Sequence, residues 1–407
     1  MKKVAKKITG YYSQRGLKIG LFFLLFSMST ILFAQKRIPV ITSNSDKAWI
    51  AEGKSIAVEW HLEPDTKPDI YYVNIPAKRS IVHFKTDKAR LTIHTRPGEI
   101  YDFIVLLREK DSCRVRISST LPPDLPKFEA SQAFPISIPF RPVGSKIYFD
   151  GKVNNKNVVI QFDSGAGTGA VNKNSSEKLN LQFSSHKLVS NTEGLNKEKE
   201  SAHNLLALGN IEWKDASLTE VGNMQDFEDI IIGNGFFRNY IIEIDYDSSK
   251  FIVHKTLPGK IKDYKKIDII YEQNRPKFKA GFVHNKTKYE HWFLFDTGRD
   301  GTMLIGEDFT ASDRHWERLE PLAVVNGRKI IRLNAFIAGT EFKDIVTNAA
   351  DPAKPNGRPS LFGNQILNHF NVVLDNKNGT LYLKPNSLMQ KPYFNYESYL
   401  KEVSIKK

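Results

Sequence analysis

The fold of this chain is decided by the stretch Val158-Val159-Ile160-Gln161-Phe162-Asp163-Ser164-Gly165-Ala166-Gly167, and a similar stretch follows at Trp292-Phe293-Leu294-Phe295-Asp296-Thr297-Gly298-Arg299. Each is an apolar run typical of a half-buried β-strand, and each delivers an aspartate into a turn that contains glycine. A carboxylate at the end of a buried strand costs free energy unless it is hydrogen-bonded or used. Two such aspartates, remote from one another in the chain, therefore indicate a site assembled from two halves.

A duplication extends beyond the aspartates. Ile231-Ile232-Gly233-Asn234 is matched in the second copy by Leu361-Phe362-Gly363-Asn364, and the apolar pattern continues in register after each glycine. The spacing from Asp163 to Gly233 is nearly the same as that from Asp296 to Gly363. Self-similarity at a fixed offset indicates a duplicated structural unit. Each copy is too long for a solenoid repeat, so we expect two homologous β-rich lobes.

These paired motifs resemble those of the pepsin and retropepsin family of aspartic proteases, over roughly residues 134–385. In that family an Asp-Thr/Ser-Gly turn follows an apolar strand, and two apolar residues and a glycine come some tens of residues later. The resemblance implies a bilobal, all-β-dominated acid-protease fold and an aspartic-type endopeptidase. It also implies a peptide or protein substrate, and we expect a monomer without a cofactor.

The resemblance implies a role for each residue of the two turns. Asp163 and Asp296 would be the catalytic pair, which shares one proton and activates a water molecule without a covalent intermediate. The hydroxyl groups of Ser164 and Thr297 would bind the backbone of the opposite turn and so hold the two turns together. These two hydroxyl residues are expected to support the aspartates and not to react.

Four glycines complete the implied scaffold. Gly165 and Gly298 would let backbone amides approach the carboxylates. Gly233 and Gly363 would let a returning strand pass close behind each turn, where a side chain would collide. These glycines are expected to shape the site without taking part in the chemistry.

The residues after the two turns depart from the pepsin pattern, in which a hydroxyl residue follows each glycine. The first copy has Ala166, as retroviral enzymes do, and the second has Arg299. A guanidinium beside the aspartates would favour their ionised forms and weaken proton sharing, which makes Arg299 a possible modulator of the site. Alternatively Arg299 turns outward and pairs with a neighbouring acid, for which Asp300, Glu307 and Asp308 are available.

The rest of the chain is divided by its composition. Residues 36–120 alternate between apolar and polar side chains and predict a small antiparallel β-sandwich without recognisable chemistry. We expect this domain to be an accessory or binding module, or simply a support for the first lobe. The proline-rich residues 121–133 predict a stiff linker. The first lobe is expected over 134–260, the second over 261–386, and a tail over 387–407. Asn326-Gly327 between apolar pairs predicts a tight hairpin in the second lobe, and Asn191–Gly194 marks the corresponding loop of the first.

The N-terminus has the pattern of a secretory signal peptide over residues 1–34. Basic residues precede an apolar run over Ile19–Ala34, which is short for a bilayer-spanning helix and ends at Leu32-Phe33-Ala34-Gln35. Because leucine is an imperfect residue for the cleavage site, an uncleaved membrane anchor stays an alternative, and only then is a membrane partner expected. The protein is therefore expected to be exported, either periplasmic or secreted. The single cysteine, Cys113, allows no internal disulfide.

The composition argues against other function classes. The net charge is +14, and it falls to +8 if the six cations of the leader are removed, but no basic stripe interleaved with aromatics indicates nucleic acid. The ten histidines lack metal-ligand spacing, and we interpret His291 and His369 as ordinary residues. Asp245 and Asp375 precede polar turns and are expected to bind the turn backbone. The remaining alternative is a non-catalytic bilobal module that binds a peptide or a cell-envelope polymer in the same cleft.

Overall fold

The computed structural model describes residues 38–53, 58–191, 194–355 and 357–406. The predicted signal peptide, residues 1–34, lies outside the described residues, so it stays a prediction. Within those ranges no helix has the length and apolar character that crossing a bilayer requires.

Residues 40–118 form two four-stranded sheets that pack face to face. The side chains between them include Phe84, Phe103 and the free Cys113, all of which are buried. One sheet has the order β1-β7-β8-β4 and the other β3-β2-β5-β6. The strands are β1 (Val40–Ser43), β2 (Lys47–Glu52), β3 (Val58–His61), β4 (Asp69–Tyr72), β5 (Ser80–Lys85), β6 (Arg90–Thr95), β7 (Ile100–Leu107) and β8 (Asp111–Ser118).

The sequence pattern predicts an antiparallel sandwich, but two of the strand pairs in the structure are parallel. β1 runs parallel to β7 and β4 runs parallel to β8. Strands that follow one another through a tight turn must be antiparallel, but strands remote in sequence can pair in either direction. An alternating pattern records which face is buried and carries no information about direction, so the expectation was wrong on this point.

The first lobe is built on a nine-stranded sheet with the path β11-β12-β13-β18-β14-β17-β16-β15, to which β9 adds beside β17. β9 lies within the predicted linker, so part of that segment belongs to the sheet of the lobe. The strands from here to the lobe junction are β9 (Phe128–Ala130), β10 (Ile136–Pro139), β11 (Arg141–Val143), β12 (Lys146–Val153), β13 (Lys156–Asp163), β14 (Gly169–Asn172), β15 (Phe183–Asn191), β16 (Gly194–Leu208), β17 (Ile211–Val221), β18 (Ile230–Gly233), β19 (Ile241–Asp245) and β20 (Lys250–His254).

The second lobe repeats this arrangement. Its strands follow the path β22-β23-β28-β24-β27-β26-β25, which matches β12-β13-β18-β14-β17-β16-β15 of the first lobe. The strands are β21 (Lys265–Glu272), β22 (Arg275–His284), β23 (Thr287–Asp296), β24 (Met303–Ile305), β25 (Ala323–Val325), β26 (Arg328–Ile337), β27 (Thr340–Ala349), β28 (Leu361–Gly363), β29 (Phe370–Asp375) and β30 (Thr380–Pro385). The all-β-dominated, bilobal architecture with a preceding β-sandwich is confirmed.

The two lobes meet in a shared antiparallel sheet with the order β10-β20-β19-β29-β30-β21. Its seam is the pairing of β19 with β29, in which Ile242 faces Leu374 and Ile244 faces Val372. These are the equivalent strands of the two copies, so the seam lies at the symmetry centre of the duplication. A single buried core runs from one lobe to the other.

Helices are short and few among the described residues. They are α1 (Lys173–Ser176), α2 (Glu307–Thr310), α3 (His315–Arg318), α4 (Asn364–Leu367) and α5 (Tyr396–Ile405), with 3-10 turns at Asn234–Phe237, Gly259–Asp263 and Ser387–Gln390. α5 occupies the tail, for which the sequence predicted no structure. Asn395 caps its first turn by accepting from the N–H of Ser398, and Arg332 of β26 lies 4.4 Å from the ring of Tyr396.

The N-terminal sandwich contacts the body where the lobes join. The backbone carbonyl of Asn74 accepts a hydrogen bond of 2.8 Å from the buried guanidinium of Arg238, which belongs to the first lobe. The side chain of Asn74 accepts another of 2.8 Å from the N–H of Tyr271 in the second lobe. Arg238 also lies over the ring of Tyr271, at 3.6 Å. The sandwich therefore contacts both lobes at their junction, and not the first lobe alone.

Candidate active site

Both aspartates lie at the ends of buried parallel strand pairs. β13 pairs with β18 so that Asp163 faces Gly233, and β23 pairs with β28 so that Asp296 faces Gly363. A Cβ atom on Gly233 would overlap the carbonyl oxygen of Ala166, and one on Gly363 would overlap that of Gly301. The absence of a side chain thus lets each returning strand run directly behind its turn.

The two turns are joined by reciprocal hydrogen bonds between Ser164 and Thr297, both of which are buried. The N–H of Ser164 donates to Oγ1 of Thr297 at 3.0 Å, and the N–H of Thr297 donates to Oγ of Ser164 at 3.1 Å. Each hydroxyl also donates to a carbonyl of the opposite strand, Ser164 to Phe295 at 2.5 Å and Thr297 to Phe162 at 3.3 Å. Both hydroxyl groups are therefore used, as donor and as acceptor, across the lobe junction.

The hydrogen bonds between Ser164 and Thr297 bring the carboxyl groups of Asp163 and Asp296 within hydrogen-bonding reach of one another. The N–H of Gly165 donates to Oδ1 of Asp163 at 2.7 Å, and the N–H groups of Gly298 and Arg299 each donate to Oδ1 of Asp296 at 3.0 Å. A Cβ atom on Gly165 would lie 2.6 Å from Cγ of Asp296, and one on Gly298 would overlap the carboxyl group of Asp163. Both turns therefore require glycine.

The surroundings of the aspartates favour a retained proton. Burial raises the pKa of Asp163, against the opposing effect of hydrogen bonds from the Gly165 amide and Asp296. Burial also raises the pKa of Asp296, and the neighbouring Asp163 carboxylate raises it further, while the positive charge of Arg299 lowers it. Two carboxyl groups within hydrogen-bonding reach of one another cannot both ionise without a large cost in free energy. The proton is therefore shared by the pair.

Arg299 does not turn outward, contrary to one of our two interpretations. Its side chain is half-buried, and within the described part of the chain its Nε has neither solvent contact nor a hydrogen-bond partner. The neighbouring acids are engaged elsewhere: Asp300 accepts from the hydroxyl of Ser145 at 2.8 Å, and Asp308 accepts from that of Ser360 at 2.7 Å. Because these two acids bind other groups, Arg299 stays beside Asp296, and its positive charge acts on that carboxyl group.

A second cation approaches the pair from the first lobe, and sequence reasoning missed it. The ammonium group of Lys146 lowers the pKa of Asp163. Lys146 also pairs with the buried Glu228 at 3.1 Å, and the hydroxyl of Tyr148 donates to the same carboxylate. The sequence contains only a weak signal for this cation. Glu228 is an acidic residue shortly before an apolar strand, and Lys146 is one of many lysines.

The hairpin predicted at Asn326-Gly327 is confirmed. β25 and β26 pair through Val325 and Arg328, and both turn residues have left-handed backbone angles, with φ of 52° and 77°. Val324 and Val325 expose 61% and 52% of their surfaces, so the tip of the hairpin stands away from the core. In the first lobe β15 and β16 form the equivalent hairpin, and residues 192–193 at its tip lie outside the described residues.

The remaining polar residues behave as structural groups. Asp245 accepts from the N–H of Ser248 and Asp375 from that of Asn378, at 3.2 and 3.0 Å, which confirms their role in turns. His291 lies 3.3 Å from Asp308, and one ring nitrogen of His369 lies 3.1 Å from the carbonyl of Lys391. Across the described ranges, no group of three or more His, Cys, Asp or Glu residues is placed to hold a metal ion.

Comparison with known proteins gives a similarity in three dimensions. The chain is similar to the crystal structure of an aspartic proteinase from Irpex lacteus, with 13% sequence identity and a TM-score of 0.43, over 63% of this chain and 98% of that one. No known protein-family profile and no curated protein sequence matches the chain.

Proposed function

We propose that this protein is an exported aspartic-type endopeptidase that hydrolyses peptide bonds with a water molecule activated by Asp163 and Asp296. The observation that carries the proposal is the reciprocal bonding of Ser164 and Thr297, which holds the two carboxyl groups together at the junction of the lobes. Without these hydrogen bonds, two half-buried carboxyl groups would move apart because their negative charges repel one another.

In the proposed reaction the pair carries a single proton. The ionised carboxylate takes a proton from the water as it attacks the scissile carbonyl carbon, and the protonated carboxyl group donates to the carbonyl oxygen. The resulting diol carries no covalent bond to the enzyme. When the C–N bond of the diol breaks, one carboxyl group gives its proton to the leaving nitrogen and the other carboxylate takes a proton from a diol hydroxyl, so the pair ends with one proton again.

The proposal is tested with the purified chain and a mixed peptide library, assayed from acid to neutral pH. We expect cleavage that falls by about a thousandfold or more in Asp163→Asn and in Asp296→Asn, because either substitution removes the acid or the base. Ser312→Ala, at an exposed loop position, serves as a control that should cleave as the wild type does. Cleavage that survives both aspartate substitutions would exclude the pair from the mechanism.

The second candidate function is a non-catalytic module that binds peptide or envelope polymer in the same place. Arg299 favours it, since a guanidinium beside Asp296 opposes retention of the shared proton. The same library separates the two functions. A chain that binds peptides at every pH and cleaves none of them is a binding module.

A further inference from the structure

The turn that carries Asp163 is backed by a pair of buried asparagines from opposite lobes. Asn234 donates its backbone N–H to the carbonyl of Ala166 at 3.1 Å, and the N–H of Ala166 donates to the carbonyl of Asp163 at 3.1 Å. The side-chain amides of Asn234 and Asn376 donate to one another, at 3.0 and 3.1 Å. Because both side chains are buried and fully engaged, the position of Asn376 bears on the position of this turn.

Asn376 is held in turn by Tyr271 and Arg238. The hydroxyl of Tyr271 donates to Oδ1 of Asn376 at 2.7 Å. Arg238 is buried, and its hydrogen bonds go to neutral oxygens, which are the carbonyl of Asn376 at 3.0 Å, the carbonyl of Asn74 at 2.8 Å and Oδ1 of Asn274 at 3.3 Å. A buried cation with neutral acceptors depends on each of them, since losing one leaves a charged donor unsatisfied.

The N-terminal sandwich supplies one of these acceptors from the segment between β4 and β5. Glu52 of β2 fixes Asn74 there, because its Oε2 accepts from the backbone N–H at 2.7 Å and from the side-chain amide at 3.1 Å. The next residue, Ile75, lies over the turn between β29 and β30, where a Cβ atom on Gly379 would overlap its side chain. The sandwich therefore contacts the turn that contains Asn376 as well as the arginine that binds it.

The equivalent place in the second lobe is filled without the sandwich. Asn364 donates its N–H to the carbonyl of Arg299 at 2.9 Å, and its side-chain oxygen accepts from the hydroxyl of Tyr246 at 2.7 Å. Tyr246 occupies the same place in the first copy as Asn376 does in the second, directly after the aspartate that ends a seam strand. The second turn is therefore supported by the two lobes alone, and the first turn by the two lobes together with the sandwich.

We propose that Asn74 is a positioning residue for Asp163, and that the N-terminal sandwich is a working part of the catalytic unit and not a separate module. The effect on rate rests on the proposed endopeptidase function, which the proposal extends to a domain without chemistry of its own. The hydrogen-bond partners of Asn74 are Glu52, Arg238 and Tyr271, which lie outside both turns. Asn74 therefore acts through the position of Asp163 and not through contact with the substrate.

The first test measures amide hydrogen exchange in the folded wild type and in Asn74→Ala. The substitution removes the side-chain hydrogen bonds that fix Asn74 between the domains. We expect the amides of Ala166 and Asn234 to exchange at least about tenfold faster, because they belong to the turn that the sandwich supports. The amides of Gly298 and Asn364, at the other turn, should change by less than about twofold.

Two further variants make this test specific. Asn44→Ala is the matched control, because it makes the same change at an exposed position of the sandwich, and it should leave all of these amides as they are in the wild type. Ile75→Val removes the terminal methyl group that lies over Gly379. It is a milder change than Asn74→Ala and should accelerate the same amides by about two- to threefold. It carries the test if Asn74→Ala does not fold.

Peptide cleavage supplies the second readout. Asn74→Ala should lower kcat by at least about tenfold, since misplacing a reacting group by about 1 Å commonly costs a hundredfold. KM should stay within about twofold, because the cleft keeps its own residues. Rates are expressed per folded molecule, so that a loss of folded protein does not count as a loss of kcat.

The positioning role and the endopeptidase can fail separately. Unchanged exchange at Ala166 and Asn234 would overturn the positioning role, whatever the wild type cleaves. Equal acceleration at both turns would show general destabilisation and would overturn it too, as would faster exchange with an unchanged kcat, or a rise in KM that accounts for the whole loss of kcat/KM. Faster exchange confined to the first turn, in a protein that cleaves no peptide, would overturn the endopeptidase and leave the support of Asp163 by the sandwich.

Discussion

Ser164 and Thr297 exchange backbone-to-hydroxyl hydrogen bonds of 3.0 and 3.1 Å across the junction of the two lobes. Each residue follows an aspartate, so the bonds fix the separation of the two carboxyl groups. The geometry of the site is thereby set by the packing of one lobe on the other and not by either turn alone.

Removal of either hydroxyl is expected to destabilise the junction. Ser164→Ala leaves a buried N–H and a buried carbonyl without partners, and Thr297→Ala does the same on the other side, so each should cost about 2–4 kcal/mol. Urea unfolding of the single and double variants measures the effect. The double-mutant cycle should show coupling of at least about 1 kcal/mol, whereas Thr297→Ser, which keeps the hydroxyl, should lose much less. Strict additivity would mean that the two residues act independently.

Stability should fall as the pH rises, because of the paired carboxyl groups of Asp163 and Asp296. The pKa values of Asp163 and Asp296 are raised in the folded protein from about 3.8, so above that pH the folded state holds more protons than the unfolded state. The stabilisation is complete below the unfolded pKa and is lost as the pH passes the raised folded value. Asp296→Asn removes part of this dependence and should stabilise the protein at neutral pH by about 1–3 kcal/mol.

The measurement is the free energy of unfolding at a series of pH values. The control is Asp150→Asn, whose side chain is 90% exposed and lies on the surface of β12. The control should follow the wild-type profile. A profile for Asp296→Asn with the same slope as the wild type would contradict the raised pKa values.

Arg299 should set the upper pH limit of the proposed peptidase activity. Its positive charge lowers the pKa of Asp296, so Arg299→Met should raise that pKa and move the alkaline limb of kcat/KM to higher pH, by about one unit. The assay uses a neutral peptide substrate, so that the substrate adds no charge of its own beside Arg299. Lys329→Met removes a charge that lies over the ring of Trp316, at 4.4 Å, and should leave the limb in place. An unmoved limb in Arg299→Met would mean that the guanidinium does not act on the pair.

Gly298 should tolerate no side chain. A Cβ atom there would overlap the carboxyl group of Asp163, and displacing a reacting group by about 1 Å commonly costs a hundredfold in rate. Gly298→Ala is therefore expected to lose at least that factor in kcat/KM. Gly222→Ala, whose Cβ would meet nothing within 4 Å, is the matched control and should retain activity. Similar activity in the two variants would show that the turn can relax without harm.

Much of the site followed from local pattern. The apolar runs before Asp163 and Asp296 had to be buried strands, and the glycines after them had to be turns. Because both motifs recur at nearly the same spacing, the duplication predicted two lobes and a site between them. Asn326-Gly327 specified its hairpin for the same local reason, since both residues adopt left-handed angles readily.

The side-chain environment did not follow from the sequence. Arg299 has several acids close to it in the chain, and only the fold shows that Asp300 and Asp308 bind other groups while Arg299 lies beside Asp296. Lys146 is the first residue of β12 and Asp163 is the last residue of β13, and the antiparallel pairing of these two strands brings the residues near one another. Strand direction in the N-terminal sandwich was equally hidden, because alternation is the same in parallel and antiparallel strands.

The sequence by itself determined the strands, the turns and the twofold repeat, since each depends on the conformational preferences and burial of neighbouring residues. Tertiary structure alone decided which charges surround the aspartates. Electrostatic interaction depends on distance in space and on burial, and residues far apart in the chain acquire both only when the lobes have packed together.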